Sequence, residues 1–164
     1  MTRYGLAALL ALFAGQADAL SCMRPDIARD YERAASAEEI YHAVTGVLDF
    51  DPATLPVVDY DNQQATPPET DIPARLTGRT LTSSGFTAEF ERDITLRVHC
   101  FGPWCASPQP GTPYLTFVES TRQGLVMHVD PCGGLSHPNP SAELEARVVA
   151  CSKGDCPLDD GSRP

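Results

Sequence analysis

Six cysteines, Cys22, Cys100, Cys105, Cys132, Cys151 and Cys156, constrain this chain more than any other feature, and the first nineteen residues decide what they can be. Arg3 supplies a positive charge, and Leu6 to Ala14 form an uncharged apolar run of nine residues. Ala17-Asp18-Ala19 then places small residues at the two positions a signal peptidase reads. Spanning a bilayer takes roughly 20 apolar residues, so residues 1–19 read as a signal peptide rather than an anchor. A lipoprotein signal ending at Cys22 is the weaker alternative. It has a small residue before the cysteine, but its Leu and Ala stand in the reverse of the usual order, with Asp18 just upstream. An even number of cysteines in an exported chain reads as a set of disulfides. The rival is a zinc site built from these cysteines with His99, His128 or His137. Zinc knuckles more often separate paired cysteines by two residues, whereas four lie between Cys100 and Cys105 and between Cys151 and Cys156. An oxidising compartment also disfavours free thiolates.

Cleavage after Ala19 leaves a chain opening Leu20-Ser21-Cys22, with residues 20–156 expected to form one domain and 157–164 a disordered tail. Arg3 and Asp18 leave together, so the net charge stays at −10. That surface, without a basic cluster, argues against nucleic acid and anionic lipid as partners. It is compatible with a basic protein partner, although solubility alone accounts for it. No later apolar run approaches membrane-spanning length. The expectation is a periplasmic or secreted monomer that does not insert into the membrane.

Hydrophobic spacing predicts a short helix capped by Asp26, with Ile27, Tyr31 and Ala34 on one face and an end near Glu39. Ile40 to Phe50 predicts a strand, and Gly46 within it a bulge or bend. Residues 51–73 read as a long acidic loop containing Pro52, Pro56, Pro67, Pro68 and Pro73, with a brief apolar patch at Leu55–Val58. Further strands are expected at Ala74 to Thr82, after the Ser83-Ser84-Gly85 turn through Phe86 to Cys100 with an interruption at Arg92-Asp93, and in a hairpin of 114–119 with 125–130. Asn139 as cap and Pro140 at the first position open a second helix that turns Leu144 and Val148 inward. Helix, about five strands and helix fit a small barrel closed by five strands. A two-sheet sandwich usually needs seven.

Candidate chemistry is sparse. None of the serines sits in a Gly-x-Ser-x-Gly elbow. Cys100-Phe-Gly-Pro-Trp-Cys105 is not the two-residue redox motif, and an oxidised Cys105 is no nucleophile. His42, His99 and His128 fall within expected strands and read as solvent-facing or hydrogen-bonded structural residues. Asp49, Asp51, Asp59 and Asp61 lack the spacing and the glycine of a calcium-binding loop. Cys132-Gly133-Gly134 reads as a backbone turn, without the lysine of a phosphate loop. Neither an enzyme nor a cofactor or metal site is expected.

The order Ser21-Cys22, helix, strand, Cys105, Gly111, Tyr114-Leu115 and Cys132-Gly133 resembles the netrin-like domain. That family includes the N-terminal domain of the tissue inhibitors of metalloproteinases. The most specific stretch is Gly111 to Val118 followed by Gly124 to Val129 and Cys132, similar to the family's Gly-x-x-Tyr-Leu hairpin ending in a cysteine. The resemblance covers roughly residues 20–150. It implies a mainly β fold: a five-stranded OB-like barrel with flanking N- and C-terminal helices, stapled by Cys22–Cys132, Cys100–Cys105 and Cys151–Cys156. In the inhibitors the mature chain opens Cys-x-Cys, and its terminal amine and first carbonyl chelate a protease zinc. Here Leu20 stands where the first cysteine would be, and Cys22 matches the second. The resemblance therefore implies a non-enzymatic module that binds a protein, with a metalloprotease as the specific form of that partner, through a ridge of Leu20, Ser21, Cys22 and Met23. The alternative is a structural or accessory envelope protein in which the domain only positions the 51–73 loop.

Overall fold

The β-branched and aromatic run Ile40–Phe50 forms the strand about which everything else is arranged (β1). In the computed structural model, which describes residues 20–156, β1 is paired on both edges. The signal peptide expected over 1–19 and the tail expected over 157–164 lie outside the described residues. One edge of β1 runs antiparallel to β2 (Glu69–Thr82), with Phe50 opposite Ala74, and the other to β5 (Pro113–Thr121), with Ile40 opposite Ser120. β2 turns back at Ser83-Ser84 into β3 (Gly85–Phe101). The far end of β3 lies parallel to β6 (Gly124–Val129), Thr95 beside Val126 and Val98 beside Val129. β6 forms a hairpin with β5, so five strands run round in a ring. The two-residue β4 (Trp104–Cys105) folds onto the end of β3, and β7 (Ser136–Pro138) adds to β5. Helices α1 (Ile27–Ser36) and α2 (Ala142–Cys151) flank the sheet. This is the expected fold class: mainly β, an OB-like ring with a helix at each end and three disulfides. Among the described residues no helix is long and apolar enough to cross a membrane.

Two hydrophobic clusters follow from the period-two geometry of strands. Val44, Leu48, Leu76, Leu96, Val118 and Met127 point into the ring and are fully buried. The opposite face of β1 and β5, carrying Ala43, Leu115 and Phe117, is covered by Ile27 and Ala34 of α1 and Val148 of α2. β5 is therefore buried on both faces from Tyr114 to Val118, which accounts for its near-continuous apolar run. Thr116 lies within that run and is satisfied by Ser136, whose hydroxyl is 2.7 Å away and also donates to the His128 carbonyl.

Four local expectations need correction. β2 begins at Glu69, five residues inside the stretch expected as loop. Pro73 is tolerated because it lies one residue beyond the last β1 pair, where β2 has only β3 beside it. Gly46 makes no bulge: β1 keeps its register through it, and the irregularity lies between Thr80 and Leu81. β3 continues unbroken through Arg92-Asp93, where Asp93 pairs with Arg75 across the ladder. The second helix starts at Ala142 with Ser141, not Asn139, as its cap; Asn139 adopts a left-handed turn conformation (φ 51°) ahead of it. Val148 is buried and Leu144 partly so, as the spacing requires.

Asp26 caps α1 as expected, its Oδ1 accepting from the Ala28 amide at 3.0 Å, and it also faces Arg147 of α2 at 3.5 Å. Because the carboxylate is buried, Asp26→Ala is expected to cost about 2 kcal/mol, the upper end of the range for cap removal. A urea midpoint lowered without a change in slope would show this.

Candidate partner-binding surface

The N-terminal segment 20–26 belongs to no strand or helix, and Cys22–Cys132 fixes it. Cys132 lies in a turn tightened by Asp130, whose Oδ1 accepts from the Cys132 amide at 2.7 Å. The turn passes through Gly134 at φ 58°, where an added Cβ would overlap the Asp130 carboxylate. Leu20, Ser21, Cys22 and Met23 are thereby held against residues 130–134, with Met23 77% exposed.

Two other segments reach the same end of the ring. At the tip of β3 and β4, Cys100–Cys105 bridges directly opposed positions, and Phe101 faces Trp104. The Cys100 amide donates to the Pro68 carbonyl at 2.8 Å, which ties this tip to the end of the 51–68 loop. That loop is structured by its own acids: Asp51 accepts from the Ala53 amide, and Asp59 from those of Asp61 and Asn62. These local bonds give the acidic residues a structural use, and Leu55 anchors the loop against the interior cluster.

The apolar side chains left outside are not scattered. Among the described residues eight large ones are exposed, and four of them, Leu20, Val57, Tyr60 and Trp104, line a single open cleft of about 750 Å³. Met23 and Phe101 line an adjoining depression, and Asp130 borders both. Of these eight, Ile40 and Val47, on β1, lie apart from the two hollows. The four ridge residues expected from the sequence thus sit here, but as one wall of a wider surface. Val57, Tyr60, Phe101 and Trp104 were not expected in it. The signal available was the unusual presence of Val-Val and Tyr in a proline-rich loop and of Trp inside a short cysteine loop.

The histidines divide. His42 is exposed on β1, and His137 of β7 stands 2.9 Å from Asp30 of α1. His99 and His128 meet on the outer face of β3 and β6, Nε2 to Nδ1 at 3.0 Å, and Glu119 of β5 lies 2.8 Å from His128 Nε2. Burial, and then the neighbouring His128, push the His99 imidazole below the usual histidine range. Beside them Arg97 grips Asp71 through two bonds of 2.7 and 2.8 Å, holding that carboxyl below its ordinary range. Among the described residues no group of three or more His, Cys, Asp or Glu is placed to hold a metal ion.

The six cysteines form Cys22–Cys132, Cys100–Cys105 and Cys151–Cys156, the set implied by the netrin-like resemblance, and none of the six is free. Such a set belongs to an extracytoplasmic, oxidising environment. No protein-family model matches the chain, and no curated protein and no solved structure matches it either.

Proposed function

We propose that this chain is an exported, non-enzymatic, netrin-like module of the periplasm or the secreted space that docks a protein partner. It does so through the end of the ring where Leu20–Met23, the 51–68 loop and the β3–β4 tip converge. The supporting observation is the gathering of six of the eight large apolar side chains exposed among the described residues around two adjoining hollows on segments fixed by disulfides and local hydrogen bonds. Contiguous apolar surface on a folded chain marks an interaction site, and a pre-ordered surface loses little entropy on binding. Aromatic anchors such as Tyr60 and Trp104 are the side chains that dominate such contacts.

Photo-crosslinking side chains placed at 57, 60 and 104, and at Glu89 on the exposed face of β3, test this in the exporting cell. A discrete adduct at the first three positions and none at 89 is expected. Equal labelling at all four, or none at any, would instead leave the structural envelope role. The loop and Leu20 of the N-terminal ridge line the same cleft, so a loop deletion cannot separate these readings.

A metalloprotease is the specific partner in the family's terms, because processing after Ala19 would free the Leu20 amine beside its carbonyl. A chain beginning at Leu20 is then expected to inhibit a zinc endopeptidase at micromolar concentration, and one retaining Ala19 to lose that inhibition. Failure of both chains removes the protease form and leaves the docking surface to the crosslinks.

A further inference from the structure

Four side chains follow one another across four strands on the outer face of the ring: Glu69 of β2, His99 of β3, His128 of β6 and Glu119 of β5. They make three contacts. Glu69 Oε1 lies 3.5 Å from His99 Nδ1, His99 Nε2 lies 3.0 Å from His128 Nδ1, and His128 Nε2 lies 2.8 Å from Glu119 Oε2. The two shorter contacts are hydrogen bonds, whereas Glu69 stands off at an electrostatic distance. The bond to Glu119 needs an N–H on His128, and the contact between the rings needs one N–H and one lone pair. Two neutral imidazoles supply these, and so does a pair in which one ring is an imidazolium. Two imidazolium rings set N–H against N–H at the central contact, the state that a 3.0 Å separation does not fit.

The position of the row gives it leverage. β3 and β6 pair only from Thr95–Val98 to Val126–Val129, and this short parallel seam closes the ring. His128 lies within it, and His99 directly follows it. The same residues lead into the docking surface. Glu69 follows the 51–68 loop, the His99 carbonyl accepts from the Ala106 amide at 3.0 Å, and Asp130 continues from β6.

We propose that His99, His128 and Glu119, with Glu69 beside them, form a proton-sensitive latch: while one ring of the pair is neutral the row holds the β3–β6 seam closed, and protonation of both rings opens it and loosens the partner-binding surface. The link to partner binding rests on the docking reading; the latch itself does not.

The surrounding charges fix the sign. Glu69 from β2 and Asp130 after β6 favour a charge on His99, while burial, His128 and Arg97 of β3 oppose it. Asp71 of β2 is taken up by Arg97, and Glu119 of β5 by His128. The opposing influences prevail, so His99 binds its proton less readily folded than unfolded. A base depressed in this way contributes stability above its unfolded value, about 6.5, that is lost as the pH falls below it.

Amide hydrogen exchange on the mature, oxidised protein between pH 7.5 and 5 tests the latch. After correction for intrinsic rates, protection at 95–98 and 126–129 is expected to fall about tenfold relative to the β1–β5 pairs. His99→Gln, which can donate and accept but takes no proton, is expected to abolish that difference; His128→Gln is the second variant if the first folds poorly. Seam amides that track β1–β5 throughout, or a Gln variant that keeps the differential loss, overturn the latch. If the seam opens but the crosslink at position 60 persists unchanged at pH 5, the coupling to the docking surface is overturned. Absence of that crosslink at every pH sinks the docking reading instead, while the exchange data still decide the latch.

Discussion

Replacing Cys22 and Cys132 together by serine is expected to destabilise a chain beginning at Leu20 by about 4 kcal/mol and to lower its Tm by about 10–20 °C. The bond closes a loop of 110 residues. In the chain-entropy account, cross-linking a loop of roughly 100 residues removes about 4.7 kcal/mol of unfolded-state freedom, whereas a loop of five removes about 2 kcal/mol. Cys100–Cys105 and Cys151–Cys156 each close a separation of 5. The three double replacements should therefore rank with Cys22/Cys132 well below the other two in urea midpoint, each compared in its oxidised form. A loss no larger than that of the short staples would show that the N-terminal segment is held mainly by other contacts. The change also separates stability from function. Residues 20–25 join neither a strand nor a helix, so without the bond Leu20 leaves the cleft and Met23 the adjoining hollow while Tyr60 and Trp104 stay in place. The crosslink at position 104 should weaken below the unfolding temperature, before the ring itself opens.

How far the sequence reveals this molecule depends on whether the determining contact is local. The Asp26 cap, the strand Ile40–Phe50 and the hairpin around Ser120–Gly124 are set by neighbours in the chain, and each is visible in its spacing. The start of β2 is not. Glu69 to Pro73 carry too many turn formers to read as a strand, and only the distant β3 residues Thr95 to His99 hold them in one. The second helix shows the same limit on a smaller scale. Asn139 and Pro140 make a good opening by themselves, but the Asn139 amide bonds to the Pro113 carbonyl, and the helix begins only after Ser141. The ridge residues Leu20–Met23 could be reached through the cysteine order and the family it resembles. Val57, Tyr60 and Trp104 join them only because a 100 to 105 staple and a proline-rich loop meet in space. His99 and His128, 29 residues apart, meet through a parallel register that neither local pattern specifies.

Gly46 and Gly78 show how such a long-range contact governs stability, and Gly78→Ala is expected to cost at least about 3 kcal/mol. Neither glycine is among those with a positive φ, so alanine would ordinarily be tolerated here and would even stabilise by about 0.4–1 kcal/mol by restricting the unfolded chain. The expected sign is reversed by what lies opposite. A Cβ on Gly78 would run into the Thr45 carbonyl oxygen and the Gly46 Cα, and one on Gly46 would lie 2.6 Å from the Thr77 carbonyl oxygen. These are backbone atoms of the paired strand, so no side chain can rotate away, and β1 and β2 must separate. The two glycines oppose each other in register, with Tyr114 beyond Gly46 and Phe90 beyond Gly78. All four positions fall in one row across the ring, and both aromatic side chains belong to the interior cluster. A displaced β1 therefore disturbs that cluster as well as the ladder. Gly111→Ala is the control: nothing lies within 4 Å of its added Cβ, so only the left-handed backbone at φ 76° is penalised. That penalty is about 1–2 kcal/mol. Urea unfolding of the two variants should show Gly78→Ala as clearly the less stable. If instead Gly78→Ala matches or exceeds the native stability, the close approach of β1 to β2 is not a feature of the folded chain.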